Sequence, residues 1–309
     1  MKKIKLISLI LCAVLVTSCV ALRNADGTVD DTTQSVDVTL ESGDTETTAT
    51  DPEESMSNVA SDDATASTTA NTRTDESAPV SQKTESSVPS EPTEAVYKPK
   101  ALMYHLILEE VYGPYSALFV RPADFAEQLD YLDSENYEYL FAHEWKMTAR
   151  PSVIITLDDG YEDNYTEMFP ILKAHGAKAT VFLVTELIDT DGYLTRDMIR
   201  EMSDSGLVSF QCHTAHHVDL AYQTEQTVRN EFEVSCAEIK KLTGKEVRAI
   251  AYPAGSYNDT VLAVAREFFD FAYTTRSPYN TPEYTDLTVP RYYISRTLGM
   301  ASFKAMLSY

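Results

Sequence analysis

Two adjacent aspartates follow a stretch of β-forming residues and precede a glycine. The segment SVIITLDDGYED covers residues 152–163, and Asp158 and Asp159 come directly after its apolar part. Consecutive side chains of a strand face opposite sides of a sheet, so both carboxylates reach one site only if the chain turns, which Gly160 permits. Two such carboxylates can divide the work of holding a metal ion and moving a proton. A simple acidic turn after a strand explains the same residues.

A second candidate site lies in the segment CHTAHHVDL, residues 212–220. His213 and His217 are four positions apart, so a helical turn or a tight loop directs both imidazoles to one side. With one carboxylate they form a His-His-Asp ligand set that suits Zn²⁺ and also accepts Co²⁺, Ni²⁺ or Mn²⁺. Three histidines within five residues are unusual in a chain that has 6 in total. We expect the third, His216, to point elsewhere.

The elements around these residues alternate between strands and helices, which predicts an α/β fold with a parallel sheet. Strands are predicted at 101–107, 139–141, 153–157, 177–184, 207–211, 248–252, 271–275 and 287–294. Helices are predicted at 121–137, 164–175, 195–204, 225–242, 259–268 and 303–307. Because no dinucleotide-binding glycine motif is present, this number of units favours a barrel over an open sheet. The core contacts of the longest helix are assigned to Phe232, Val234, Ile239 and Leu242.

Polar residues follow the ends of four predicted strands. They are His105, Asp158 with Asp159, His213 with His217, and the turn Pro253-Ala254-Gly255. In parallel barrels the active site lies at the C-terminal ends of the strands. Four strands that deliver polar residues to one rim therefore indicate an active site there. A lone histidine in an apolar run is more often a core residue, so His105 carries little weight by itself.

Three motifs resemble those of the polysaccharide deacetylases, the NodB-like carbohydrate esterases. They are TLDDG at 156–160, HTAHHVDL at 213–220 and AYPAGSYN at 251–258. The segments FAYTT at 271–275 and VPR at 289–291 resemble later blocks of the family, so the resemblance covers residues 100–309. It implies the distorted (β/α) barrel of about seven strands typical of these enzymes.

The resemblance also implies a reaction, the hydrolysis of an N- or O-acetyl group. Asp158 corresponds to the general base, and Asp159, His213 and His217 correspond to the metal ligands, with Zn²⁺ as the first candidate metal. The metal would polarise the acetyl carbonyl and bind the attacking water. The metal and the backbone N–H of Ala254 would hold the tetrahedral oxyanion, a role that requires no particular side chain.

The sequence departs from the family pattern at two places. Ala251 replaces the arginine that many members use to orient the base, and Arg291 of the last strand is the candidate substitute, although a structural salt bridge explains it equally well. No histidine follows His217, so the usual late general acid is missing. The branch that resembles exopolysaccharide (poly-N-acetylglucosamine) deacetylases carries a Tyr-His pair on its first strand, which Tyr104-His105 matches. His105 is therefore the candidate acid.

Three aromatic residues are candidates for stacking on sugars, although core packing is the simpler interpretation: Trp145, Tyr161 and Tyr252.

The first 96 residues differ in composition from the rest. Residues 1–19 resemble a bacterial export signal whose apolar run, Leu6 to Val16, is too short to span a bilayer. The tetrapeptide VTSC at 16–19 resembles a lipobox, which implies cleavage before Cys19 and lipid modification of its thiol; an ordinary secretory signal is the alternative. Residues 20–96 contain no aromatic residue and carry 17 acidic and 3 basic residues. Such a composition predicts a disordered linker with a reach of roughly 50 Å, enough to lift a domain into the cell wall.

Charge and cysteine content limit the remaining possibilities. The whole chain has a net charge of −23, of which the linker contributes −14 and residues 97–309 contribute −12, offset by +3 in the export signal. An acidic domain of this size suits a single α/β unit and argues against nucleic acid or anionic lipid as its ligand. Of the 4 cysteines, Cys212 and Cys236 are interpreted as free thiols in the domain, and a disulfide between them, which an exported protein permits, is the alternative.

These observations predict a monomeric, metal-dependent carbohydrate deacetylase, lipid-anchored through Cys19 at the extracellular face of a bacterial cell membrane. The expected substrate is a polysaccharide, with an N-acetylglucosamine-containing polymer as the first candidate. Peptidoglycan, a secreted amino-sugar polymer and acetylated xylan all stay open. Two other functions compete with this prediction. One is a glycosidase that uses Asp158 with another carboxylate, and the other is a catalytically inactive sugar-binding module on a stalk.

Overall fold

The computed structural model describes residues 96–309, so the predicted export signal and all but the last residue of the predicted linker lie outside the described residues. In chain order the strands are β1 (Lys100–Tyr104), β2 (Leu106–Ile107), β3 (Phe119–Val120), β4 (Glu138–Tyr139), β5 (Ser152–Leu157), β6 (Ala179–Leu183), β7 (Val208–Cys212), β8 (Ala249–Ala251), β9 (Phe271–Tyr273) and β10 (Tyr292–Tyr293). The helices are α1 (Pro122–Ser134), α2 (Phe169–His175), α3 (Arg196–Asp204), α4 (Glu225–Thr243), α5 (Asp259–Phe268) and α6 (Met300–Leu307). Within this part of the chain, no helix has the length and apolar character needed to cross a membrane.

Seven strands form a curled parallel sheet in the order β10-β1-β5-β6-β7-β8-β9, and the short β4 pairs with the start of β5. The segment that leads into β10 touches both edges of this sheet. Val289 bridges to Tyr273 of β9, whereas Tyr292 pairs with Leu102 of β1. The prediction of a distorted α/β barrel of about seven strands is confirmed, and all strand ends that carry polar residues meet at one rim.

Alternate residues of each strand divide between an outer and an inner core. On β5, Val153, Ile155 and Leu157 belong to the large outer cluster that the helices cover. Ile154 belongs to the inner cluster, together with side chains of β6 and β9. The same alternation, continued one step beyond the strand, directs Asp158 into the barrel.

Several predictions differ from the structure. The strand predicted at 101–107 is divided at His105 into β1 and β2, and β2 pairs with β3 in a separate sheet. Val234, expected in the core, is 45% exposed, because it lies two positions after the buried Phe232 and thus about 200° around the helix. The predicted helix at 164–175 is π-helical over Asn164–Met168 and α-helical only from Phe169. Pro170 explains this change, because it has no N–H to donate to the preceding turn. The strand predicted at 287–294 shrinks to β10, because that segment changes partner from β9 to β1.

Candidate active site

Asp158 and Asp159 diverge at the end of β5. The Asp158 side chain is 3% exposed and lies inside the barrel. Asp159 has a φ of 74° and Gly160 a φ of 81°, a left-handed turn that moves the second carboxylate away from the strand direction. A Cβ at position 160 would lie 2.6 Å from Cδ2 of Leu183, so the positive φ favours glycine and any other residue would also have to displace the Leu183 side chain. The turn expected from the sequence is therefore present.

Asp159, His213 and His217 form a cluster of three candidate metal ligands. Their ligand atoms all lie within 4.8 Å of one another. Oδ1 of Asp159 is 3.4 Å from Nε2 of His213 and 3.6 Å from Nε2 of His217. His213 is buried and the side chain of His217 is 38% exposed, so one side of the cluster faces solvent. Three protein ligands with an open side are typical of catalytic metal sites.

The hydrogen bond of His213 shows that this donor set fits a divalent cation. Nδ1 of His213 lies 2.7 Å from the carbonyl oxygen of Ala251 and donates to it, so the neutral ring carries its lone pair on Nε2. That lone pair faces a carboxylate oxygen of Asp159 at 3.4 Å, and a divalent cation bound between the two atoms would satisfy both, as a proton on Nε2 also does. Metal-ligating histidines commonly donate their other N–H to a carbonyl in this way.

The pKa shifts within the cluster also fit a site that binds a cation. Burial raises the pKa of Asp159, but the hydrogen bond and the charge of His213 outweigh it, so the pKa of Asp159 lies below its ordinary value. Burial and the nearby His213 lower the pKa of His217. Burial lowers the pKa of His213, but the hydrogen bond to Asp159 prevails and raises it, so a metal ion at this place competes with a proton. Metal affinity should therefore weaken in acid.

Asp158 is held by a fully buried arginine. Arg291 donates from Nη1 to Oδ1 of Asp158 and from Nη2 to Oδ2, both at 2.7 Å. Two further donors are also used: Nε donates to the carbonyl of Thr274 at 3.0 Å and Nη1 donates to Oγ1 of Thr156 at 3.0 Å. Burial raises the pKa of Asp158, but the charge and the hydrogen bonds of Arg291 outweigh it, so the pKa is lowered. The result is an ionised carboxylate in a single orientation.

Position 251, where many family members have an arginine, contributes its backbone instead. Ala251 is buried on the inner face of β8, and its carbonyl accepts the hydrogen bond of His213. The guanidinium that reaches Asp158 comes from Arg291, which lies between β9 and β10. From the sequence, Arg291 was interpreted either as the residue that orients the base or as a structural salt-bridge residue. Its two parallel hydrogen bonds to Asp158 fit both interpretations.

His105 lies beside Asp158 at the start of the β1–β2 connection. Its Nε2 is 4.0 Å from Oδ2 of Asp158, and its buried Nδ1 has no hydrogen-bond partner within the described part of the chain. Burial lowers the pKa of His105 more than the charges of Asp158 and Asp159 raise it. The free protein therefore holds a neutral imidazole at the barrel mouth, and Asn164 fixes its backbone by donating to the His105 carbonyl at 3.1 Å.

The third motif forms a tight turn on the rim. Pro253–Gly255 is one turn of 3₁₀-helix in which Ala254 has a φ of 52°. The N–H of Ala254 lies in the first turn, where backbone donors have no acceptor within the helix. Of the six non-glycine residues with positive φ in the described range, four belong to this site: Asp159, Thr214, His217 and Ala254. Backbone strain of this kind concentrates at functional sites.

Two of the three aromatic candidates, Trp145 and Tyr252, and also His216 lie away from the reacting groups, whereas the third, Tyr161, is buried and stacks on Tyr193. Tyr252 is fully buried, and Trp145 packs edge-on against Tyr273 and Tyr284, so core packing is the observed state of both. His216 pairs with Glu231 at 2.7 Å, as expected for a histidine that points away from the ligand cluster. Cys212 and Cys236 are free thiols, as predicted.

Sequence reasoning missed the contacts that three residues make with the site. Thr156 accepts a hydrogen bond from Arg291, burial and the neighbouring charge of Asp159 raise the pKa of Tyr161, and Glu231 holds the histidine loop. Two of them had a detectable signal. Thr156 precedes Asp158 by two positions, so strand alternation places both on one face. Glu231 directly precedes Phe232, a predicted core residue, and a carboxylate next to the buried face of a helix needs a partner.

Comparisons with known proteins agree with the motifs. The model of the polysaccharide deacetylase family matches residues 146–269. The protein YxkH of Bacillus subtilis (strain 168) is 32% identical over 182 residues, which are 57% of this chain and 63% of that protein, so the chain spans less than two thirds of it. The poly-beta-1,6-N-acetyl-D-glucosamine N-deacetylase of Staphylococcus aureus (strain MSSA476) is 29% identical over 197 residues, 57% of this chain and 68% of that enzyme. The crystal structure of a polysaccharide deacetylase from Bacillus cereus superimposes with a TM-score of 0.63 and 30% identity, covering 69% of this chain and 70% of that one.

Proposed function

This chain belongs to the polysaccharide deacetylase family, and we propose from that premise that it hydrolyses acetyl groups of a cell-surface or extracellular polysaccharide in a metal-dependent reaction. One observation carries the proposal: the Asp159–His213–His217 cluster and the arginine-held carboxylate of Asp158 share one barrel mouth. The His-His-Asp donor set favours Zn²⁺. A divalent cation bound there would polarise the acetyl carbonyl and acidify a water molecule.

Asp158 is the proposed general base. Arg291 keeps its carboxylate ionised and oriented, so it can accept the proton of the water that attacks the acetyl carbon. The backbone N–H of Ala254 is the proposed donor to the oxygen that becomes negative during this attack. When the bond to the sugar nitrogen or oxygen breaks, the hydroxyl of the water stays with the acetyl group, which leaves as acetate. The sugar atom takes up a proton.

His105 is the proposed source of that last proton. Because burial lowers its pKa, the imidazole is neutral in the free protein and must gain a proton during the reaction. Asp158 gains one in the first step, and its Oδ2 lies 4.0 Å from Nε2 of His105. A small shift of either side chain brings the two within hydrogen-bond distance, so the proton of the water can pass through both residues to the leaving group.

His105→Ala is expected to lower kcat about 10²- to 10⁴-fold while the protein keeps its metal. The measurement is acetate release under saturating substrate, with metal content determined on the same samples. His175→Ala is the matched control, because His175 pairs with Asp133 on the surface and its loss should leave kcat unchanged. A wild-type rate in the His105 variant would assign that residue to core packing.

The proposed substrate is an N-acetylglucosamine-containing polymer, because the Staphylococcus aureus relative is named for one. The test is acetate release by the full chain from poly-N-acetylglucosamine, peptidoglycan and acetylated xylan, each with and without a chelator. We expect acetate from the first polymer and its loss on chelation. New reducing ends without acetate would identify a glycosidase. Binding without either product would identify a sugar-binding module, the second competing function.

We infer that the domain works as a monomer, lipid-anchored through Cys19 at the outer face of the cell membrane. The support is the lipobox-like tetrapeptide before the acidic linker and the fact that one chain supplies every candidate site residue. Growth of an expressing bacterium with a labelled fatty acid should label the wild-type protein and leave Cys19→Ser unlabelled. Equal labelling of both would exclude Cys19 as the anchor.

A further inference from the structure

Glu231 is a buried carboxylate on the apolar face of α4. It is 4% exposed, and the neighbouring residues on that face, Val228, Phe232 and Ser235, are fully buried. A buried charge is costly unless it is paired and hydrogen-bonded. Among the ion pairs of residues 96–309, the one partner of Glu231 is His216. The compensation for this buried charge must therefore come from the loop that carries His216.

Both carboxylate oxygens are occupied by that loop. Oε2 accepts the backbone N–H of Ala215 and of His216, each at 2.9 Å. Oε1 is 2.7 Å from Nδ1 of His216. Ala215 and His216 stand between the two histidines of the candidate metal cluster, so one carboxylate holds the middle of the segment from His213 to His217.

This segment has a backbone that does not hold itself in place. Thr214 has a φ of 68° and His217 a φ of 55°, values that are uncommon for residues other than glycine and least favourable for a β-branched one such as threonine. Within the loop, Oγ1 of Thr214 accepts the N–H of His217 at 2.9 Å and the N–H of Thr214 donates to Cys212 Sγ at 3.3 Å. These bonds connect neighbouring residues of the segment. The carbonyls of Thr214 and Ala215 accept the N–H groups of Thr185 and Glu186 at 3.4 and 3.0 Å, and the bonds of Glu231 connect the N–H side of the loop to a helix of 19 residues.

We propose that Glu231 is the positioning residue of the metal site: it holds the strained loop so that His213 and His217 face Asp159. This inference rests on the proposed metal-dependent function. Without the carboxylate, the N–H groups of Ala215 and His216 lose their acceptor, and the strained backbone of Thr214 and His217 can relax toward negative φ. Such a change rotates the two imidazoles apart, although neither ligand has been altered. Loss of outer contacts of this kind typically weakens metal binding about 10- to 100-fold.

The test compares variants of the full chain by Zn²⁺ affinity, measured in competition with a chromogenic chelator. Glu231→Ala is expected to weaken affinity about 10- to 100-fold. Glu231→Gln is expected to lose less, because its amide oxygen can still accept both backbone N–H groups. Cobalt-loaded samples add a second readout, since the visible absorption of Co²⁺ reports the geometry of its ligands. It should change in Glu231→Ala and recover in Glu231→Gln.

Three matched variants separate positioning from other effects. Glu233→Gln changes an exposed carboxylate of the same helix and should bind metal like wild type. His216→Ala removes the side-chain contact and keeps both backbone contacts, so its affinity should stay near wild type. His213→Ala removes a candidate ligand and is expected to show the largest loss of Zn²⁺ affinity. If Glu231→Ala does not fold, the comparison of Glu231→Gln with Glu233→Gln decides instead.

The outcomes distinguish this inference from the function on which it rests. Wild-type affinity and an unchanged Co²⁺ spectrum in both Glu231 variants would overturn the positioning role while the metal-dependent function stands. Equal losses in Glu231→Gln and Glu233→Gln would also overturn it, because a general effect of charge would explain them. A wild-type protein that binds neither Zn²⁺ nor Co²⁺ would remove the proposed function, and this inference with it.

Discussion

Asp158→Asn is expected to lower kcat for acetate release by about 10²- to 10⁴-fold, with metal content unchanged. The amide cannot accept the proton of the attacking water, and Asp158 is the carboxylate that Arg291 holds ionised at the barrel mouth. The metal should stay, because the candidate ligand atoms belong to Asp159, His213 and His217.

The measurement combines acetate release with metal analysis, and rates are expressed per folded molecule. Folding needs this check because the substitution leaves Arg291 with half of its bidentate partner. Asp163→Asn is a suitable comparison, because Asp163 is a buried carboxylate near the same rim that accepts the N–H of Ile107 at 2.6 Å and has no assigned chemical role. Activity close to wild type in Asp158→Asn would exclude this residue as the base.

Arg291→Met is expected to lower the free energy of unfolding by about 3–5 kcal/mol. The side chain of Arg291 is 0% exposed and that of Asp158 is 3% exposed, so the substitution leaves a carboxylate in the barrel without its countercharge. Denaturation in urea, followed by circular dichroism, measures the loss. Arg150→Met is the surface control: its side chain is 49% exposed and lies 3.7 Å from Glu138, so we expect a change of at most about 1 kcal/mol.

The double variant Asp158→Asn with Arg291→Met shows whether the two residues act as a pair. Removing both charges leaves no uncompensated ion in the barrel, so the loss should be smaller than the sum of the two single losses. Additive losses would mean that the hydrogen bonds at 2.7 Å contribute little to stability.

The barrel and the ligand cluster were predictable from the sequence because both depend on local patterns. Strand alternation places Thr156 and Asp158 on one face, and the left-handed turn at Asp159 and Gly160 follows from the Asp-Gly pair. The spacing of His213 and His217 similarly predicts a common direction. Val234 shows the limit of this reasoning, because an apolar residue in a helix faces the core only if its angular position matches the buried stripe.

What the sequence determined by itself is the set of reacting groups, the strand ends that present them and the turn that separates two neighbouring aspartates. The tertiary structure alone decided which cation accompanies Asp158 and what holds the histidine loop. Arg291 is 133 positions from Asp158 in the sequence. Glu231 is 16 positions from Ala215, the first residue of the histidine loop whose N–H it accepts. These contacts arise because the last segment of the curled sheet pairs with β1, the neighbour of β5, and because α4 packs against the histidine loop. Backbone patterning acts over a few residues, whereas the choice of partner for a buried charge depends on how the whole sheet closes.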